Sequence, residues 1–136
     1  MKEKLIGPKI EGVSVAAVYE KGIDNTMVYN VYLINETNEF LEHVMITSKG
    51  YVVNEKTCER IETNTLRRHV EIVIPDSVEK IEPIMEEVMG LNNEYWVSFW
   101  IEDILYDKKY IFLPETINEK NFIKIPVINK QGVLIG

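Results

Sequence analysis

The sequence has few of the residues on which several common classes of protein depend. It contains one cysteine, Cys58, which excludes an internal disulfide and is typical of a reducing compartment. Its seven glycines are scattered singly and form neither of the glycine-rich loops that bind nucleotide phosphates. No apolar stretch is as long as a membrane-spanning helix, and residues 1–20 lack the pattern of a signal peptide. We therefore expect a cytoplasmic protein.

Positive charge is also scarce. The 136 residues include 15 Lys and Arg against 22 Asp and Glu, so the formal net charge is −7. An acidic surface repels phosphate groups, which disfavours nucleic acid as a partner and gives no reason to expect binding to an anionic membrane. With 46% hydrophobic residues, the chain can bury a core of its own, and we expect one domain spanning residues 1–136.

The sequence offers little from which a catalytic or metal site can be assembled. Cys58 lies in a polar segment beside Glu55 and Glu59, whose negative charges disfavour the reactive thiolate. His43 and His69 are the only imidazoles, and their spacing matches no common metal motif. We therefore predict no catalytic residue, no metal and no cofactor, and the sequence favours a non-enzymatic protein.

The dominant pattern is the alternation of residues with a period of two that is typical of β-strands. It is clearest in residues 26–35, where Met27, Tyr29, Val31 and Leu33 form the more apolar face. About seven short strands are predicted, in residues 12–20, 26–35, 40–53, 65–75, 94–102 and 104–114 and in the tail 121–136. Strands separated by turns in one domain predict an all-β, antiparallel sandwich of immunoglobulin or fibronectin type III kind. A small β-barrel is the alternative.

The densest group of aromatic residues, in residues 92–114, predicts a β-hairpin. A two-residue turn at Glu102 and Asp103 would place Phe99 opposite Tyr106, Tyr95 opposite Tyr110 and Val97 opposite Lys108. The last pair is unfavourable on a core face, so a bulge near Asp107 is expected.

One short helical turn is predicted just before this hairpin. In residues 83–90, Pro83 suits the first position of a helix and Gly90 suits the position after its end. Tyr95, at the start of the next strand, is a candidate for the tyrosine corner of immunoglobulin-like sandwiches.

Trp96 and Trp100 are the first candidate for a functional surface. Both lie on the face of their strand opposite the predicted core, and together with the stem of Lys109 they would form an exposed aromatic strip. The competing interpretation is that the C-terminal tail or the short helical turn covers them.

Arg67, Arg68 and His69 are the second candidate. They follow the polar residues 63–65 and could bind a carboxylate or a phosphate. The competing interpretation is a sheet-edge strand that uses positive charge to prevent edge-to-edge pairing.

The strings NVYLIN, TSKGY, TNTLRRH, NNEYWVSFW, LYDKKYIF and GVLI resemble a family of small cytosolic bacterial proteins. Members of this family often carry the inherited label "phenylalanyl-tRNA synthetase alpha subunit". The resemblance extends from about Val13 to the end of the chain. It implies a family of unknown function, because the chain contains no recognisable synthetase motif and is too short for a catalytic subunit.

Three functional hypotheses follow from these patterns. The first is a non-enzymatic module that binds a protein partner, or a second copy of itself, through Trp96 and Trp100 or through a strand edge. The second is a protein that binds a small anionic ligand, or an enzyme acting on one, near Arg67, Arg68 and His69. The third, association with the translation machinery, rests only on the inherited label.

Overall fold

The computed structural model describes residues 10–63 and 65–136. Residues 1–9, part of the segment 1–20 that lacks a signal-peptide pattern, and Asn64 of the polar residues 63–65 lie outside the described residues. The rest of the chain forms ten β-strands and two 3-10 turns, arranged as two antiparallel sheets. The predicted antiparallel β-sandwich is confirmed.

The strands are β1 (Val13–Lys21), β2 (Met27–Asn35), β3 (Leu41–Val53), β4 (Arg60–Glu62), β5 (Leu66–Val73), β6 (Ser77–Ile84), β7 (Asn92–Ile101), β8 (Ile104–Phe112), β9 (Ile123–Lys124) and β10 (Gln131–Ile135). The 3-10 turns are Glu86–Val88 and Glu119–Asn121. The first sheet has the order β6-β2-β1-β10-β9. In the second sheet, β4 and β5 both pair with β3, which is followed by β7 and β8.

Two parts of the fold prediction need correction. The barrel alternative is wrong, because in residues 10–63 and 65–136 the two sheets remain separate and do not close. Ten strands are present where about seven were predicted, because β4 and β6 lie in segments that show no clear alternation and the tail forms two strands, β9 and β10. Strand β6 contains Glu79, Lys80 and Pro83 and is an edge strand, where charge and proline are tolerated.

The core lies between the inner faces of the two sheets. The predicted apolar face of β2 is confirmed for Val31 and Leu33, which are fully buried, and for the partly buried Tyr29, but Met27 at the start of the strand is 44% exposed. Facing them from the second sheet are the buried side chains Leu41, Val44, Ile46, Tyr95, Val97, Phe99, Tyr110 and Phe112. The apolar rings of β7 and β8 are therefore mainly core residues.

A second, smaller apolar layer covers the outer face of the first sheet. Ile125, from the tail, packs with Ala16, Val18 and Ile34, and all four are fully buried. Strand β1 is thus buried on both faces, which explains why its sequence is apolar at nearly every position.

The register of the predicted hairpin is confirmed. Strands β7 and β8 pair Phe99 with Tyr106, Tyr95 with Tyr110 and Val97 with Lys108. The bulge expected near Asp107 is wrong, because this pairing has no shift in register. Lys108 avoids burial of its charge: its Nζ donates a hydrogen bond to the carbonyl oxygen of Gly136 at 3.0 Å.

The predicted helical turn is present as the 3-10 turn Glu86–Val88. Pro83, expected as its first residue, instead lies in β6. Tyr95 does not form the predicted tyrosine corner, in which the hydroxyl bonds to the backbone. Its hydroxyl instead donates a hydrogen bond to the side-chain Oε2 of Glu82 at 2.8 Å.

Glu20 links the tail to the first sheet through a nearly buried carboxylate. Its two oxygens accept hydrogen bonds from Asn30 and Tyr32, both at 2.7 Å, and from Nζ of Lys130 at 2.8 Å. Burial by itself raises the pKa of Glu20, but the hydrogen bonds from Lys130, Asn30 and Tyr32 outweigh it, so the pKa lies below its ordinary value. The charged form of Glu20 therefore stabilises the folded state.

This arrangement predicts a specific dependence of stability on pH. Because the folded-state pKa of Glu20 is lowered, its contribution is complete above the ordinary value of 4.5 and is lost as the pH falls through the folded-state value. Thermal unfolding of wild type and Glu20→Gln should differ most near neutral pH and converge under acid conditions. Glu71→Gln, at an exposed position of β5, is the control and should stay close to wild type at every pH. A difference between wild type and Glu20→Gln that is independent of pH contradicts the prediction.

Candidate interaction surface

The outer face of the second sheet carries the exposed tryptophans. Trp96 is 43% exposed and Trp100 is 38% exposed. The interpretation in which the tail covers them is wrong, because the tail residues Ile125, Val127 and Ile128 pack on the first sheet. The two tryptophans are four positions apart along β7, which places their Cα atoms about 13 Å apart on the same face.

One row of side chains runs across all four neighbouring strands of this face. Strand pairing sets Arg67 of β5 beside Thr47, Thr47 beside Trp96, and Trp96 beside Lys109 of β8. Four adjacent strands span about 14 Å. The row therefore has a cationic side chain at each end and an indole between them.

The indole of Trp96 is held by two contacts with β8. Its Nε1 donates a hydrogen bond to the carboxylate of Asp107. Nζ of Lys109 lies 4.8 Å from the centre of the Trp96 ring, within the range of a cation–π interaction. These contacts orient the ring while leaving much of it open to solvent, so the surface is ordered before any partner binds.

A second row lies one pleat further along the sheet. It contains His69, Met45, Ser98 and Asp107. Met45 is 40% exposed, and its thioether side chain adapts readily to different partner shapes. The rings of His43 and His69 stack beside it, with centres 6.2 Å apart. We name Met45, Arg67, Trp96, Trp100 and Lys109 the tryptophan face.

The structure separates the three residues of the second candidate site. Arg67 and His69 lie on the outer face, whereas Arg68 turns toward the first sheet. Its guanidinium donates to the carbonyl oxygen of Ile81 at 3.2 Å and forms an ion pair with Glu79 at 3.0 Å. Arg68 thus places a positive charge against β6, the edge strand of the first sheet.

Met45 is the member of this surface that sequence reasoning missed. The alternation of Val44 and Ile46 with Met45 and Thr47 indicated that Met45 points away from the core. Nothing in the local pattern showed that β3 pairs with both β5 and β7. That pairing alone joins Met45, Arg67 and Trp96 in one surface.

The remaining chemistry of the described residues is sparse. Among residues 10–63 and 65–136, no three His, Cys, Asp or Glu side chains come together in a group that could hold a metal ion. Cys58 is exposed and forms no disulfide. In the same part of the chain, no helix has the length and apolar character needed to cross a membrane.

The fold and this surface define a small β-sandwich with an ordered, partly aromatic sheet face. Comparison with protein-family models, with curated proteins and with solved structures finds no match to the chain.

Proposed function

We propose that the protein is a non-enzymatic interaction module that binds another protein through the tryptophan face. The observation that carries this proposal is the exposure of two indoles, 43% and 38%, on the same face of one regular strand. Tryptophan is the residue type most often responsible for binding energy at protein interfaces, and arginine accompanies it there. Methionine, also present, is enriched at such interfaces.

The charges around the indoles indicate the chemistry of the partner. Arg67 and Lys109 lie at the two ends of the central row, although the chain as a whole has a net charge of −7. A partner surface with an apolar centre and carboxylates at its rim complements this arrangement. A second copy of this acidic chain also presents carboxylates, so self-association is the first form of binding to measure.

Trp96→Ala and Trp100→Ala should test this proposal directly. Both side chains are exposed, so we expect folded variants whose self-association, or retention of a partner, is at least about 30-fold weaker, as for a hot-spot residue worth about 2 kcal/mol. The measurement is sedimentation over a wide range of concentration, followed by affinity capture with wild type and variants in parallel.

Phe40→Ala is the matched control, because Phe40 is 51% exposed and lies outside the tryptophan face. It should associate like wild type. The proposal fails if wild type is strictly monomeric at high concentration and retains no protein that the tryptophan variants lose.

The sheet order supports a closer relation to the immunoglobulin and fibronectin type III sandwiches. The neighbours β1-β2-β6 follow the order A-B-E of those folds, and β3-β7-β8 follow the order C-F-G. Strands β9 and β10 extend the first sheet beyond its usual edge. We include this relation in the proposal, because domains of this architecture often bind proteins through a sheet face.

Two other functions remain as weaker proposals. Anion binding is supported by Arg67 and His69, which share the outer face. Arg68 does not contribute to such a site, because its guanidinium contacts Glu79 and the carbonyl oxygen of Ile81. Association with the translation machinery is supported only by the inherited family label, and the net charge of −7 opposes direct contact with tRNA. Residence in the cytoplasm is part of the leading proposal and is supported by the single free thiol of Cys58.

A further inference from the structure

A small cavity lies where the two sheets meet near β6. Its volume is about 210 Å³. The walls come from β3, β6 and β7, together with Thr63 and Leu66, which flank the interval between β4 and β5. A cavity of about 150 Å³ is enough to admit benzene, so a ligand of six to eight non-hydrogen atoms is of roughly suitable size.

One wall of this cavity carries the carboxylate of Glu82. Its Oε2 accepts a hydrogen bond from the Tyr95 hydroxyl at 2.8 Å and another from the Ser48 hydroxyl at 3.1 Å. Tyr95 is 1% exposed and Ser48 is 5% exposed, so these two donors belong to the interior of the sandwich. Glu82 itself is half-buried, and a carboxylate partly removed from water costs free energy unless its charge is compensated.

The two hydroxyls are neutral donors and leave the negative charge of Glu82 uncompensated. Among the ion pairs within residues 10–63 and 65–136, none includes Glu82. Lys49 also lines the cavity, but its Nζ lies 3.7 Å from the carboxylate of Glu62. Burial and the nearby charge of Glu82 raise the pKa of Tyr95, which keeps its hydroxyl a donor.

The other walls are mainly apolar. Leu66, Ile84, Met85 and Val88 are among the residues that line it. The cavity thus combines one anionic group with a lining that is mainly apolar and also includes the polar side chains of Thr63 and Asn93. Its chemical complement is a small molecule with a cationic end and an apolar body.

We propose that this cavity binds a small organic cation with a primary ammonium group, and that Glu82 accepts its charge. A charge-assisted hydrogen bond from the ammonium to the carboxylate supplies specificity, and the hydrocarbon body displaces water from the apolar walls. Anions are excluded by the charge of Glu82. Neutral analogues of the same shape bind more weakly, because they cannot neutralise the charge of Glu82.

Benzylamine and benzyl alcohol are matched probes for this proposal, since they have similar shape and differ in charge. In NMR titrations of the full chain, benzylamine should produce saturable shifts of the amides of Gly50, Leu66 and Asn93, which border the cavity. Benzyl alcohol should bind at least tenfold more weakly. Equal affinity for the two probes, or shifts that do not saturate, overturns the proposal.

Glu82→Gln should lower the affinity for benzylamine at least tenfold, whereas Glu71→Gln, outside the cavity, should leave it unchanged. If Glu82→Gln does not fold, Leu66→Phe is the second variant, because Leu66 is 39% exposed and an added ring there would narrow the cavity. Unaltered binding of benzylamine by a folded Glu82→Gln variant, or by Leu66→Phe, contradicts the assignment. The double variant Trp96→Ala, Trp100→Ala should bind benzylamine like wild type, which separates this site from the tryptophan face.

Discussion

Replacing Gly132 with alanine should destabilise the protein by about 2 to 3 kcal/mol, in the upper part of the range for overpacked sites. Gly132, in β10, pairs with Val18 of β1. An added Cβ would overlap the carbonyl oxygen of Ala17 and lie 3.0 Å from the Cα of Val18. These are backbone atoms of a central strand, so they cannot move aside without breaking the pairing of β1 with β10.

Gly90→Ala is the control for this experiment. A Cβ at Gly90 would meet only the far end of the Glu115 side chain, at 3.3 Å, and that side chain can rotate away. Urea unfolding monitored by fluorescence should therefore give a lower midpoint for Gly132→Ala and a change within about 0.5 kcal/mol for Gly90→Ala. Equal stability of the two variants would show that β10 is not held as closely against β1 as described.

The second large effect is expected from Phe99→Ala, which should cost about 3 to 5 kcal/mol. Phe99 is 1% exposed, and its ring stacks on that of Tyr106 with centres 5.5 Å apart. Removing the ring takes away buried apolar area and leaves a cavity between the sheets. Since a domain of this size is typically stable by about 5 to 15 kcal/mol, the loss is a large part of the total.

Phe40→Ala removes the same ring from a site that is 51% exposed, and its stability should stay within about 0.5 kcal/mol of wild type. Chemical denaturation of both variants beside wild type measures the difference. If the two substitutions proved equally costly, the assignment of the β7 rings to the core would have to be abandoned.

Local patterns were sufficient to predict the hairpin of β7 and β8. The alternation of Tyr95, Val97 and Phe99, followed by a polar pair, defined both the strands and their register. The same alternation also placed Trp96 and Trp100 outside the core. Such information is available from the sequence because every contact in a hairpin joins residues that are close along the chain.

Other features depended on pairing between distant segments. Strand β6 was missed because its charged residues and Pro83 hide the alternation, and only its position at the edge of the first sheet makes them acceptable. The pairing of the tail with β1 has no local signal at all. By contrast, the separation of Arg68 from Arg67 and His69 was available from the period of two, since neighbours in a strand point to opposite faces.

The position of β10 beside β1 has a consequence for synthesis of the protein. The ribosome makes β1 well before β10, so the first sheet cannot be completed until the segments between these two strands have emerged. During that time the apolar outer side of Ala16, Val18 and Ile34 lacks its cover from Ile125. The nascent chain therefore exposes a hydrophobic strand pair throughout this interval, and chaperones that recognise such segments are expected to meet it before folding ends.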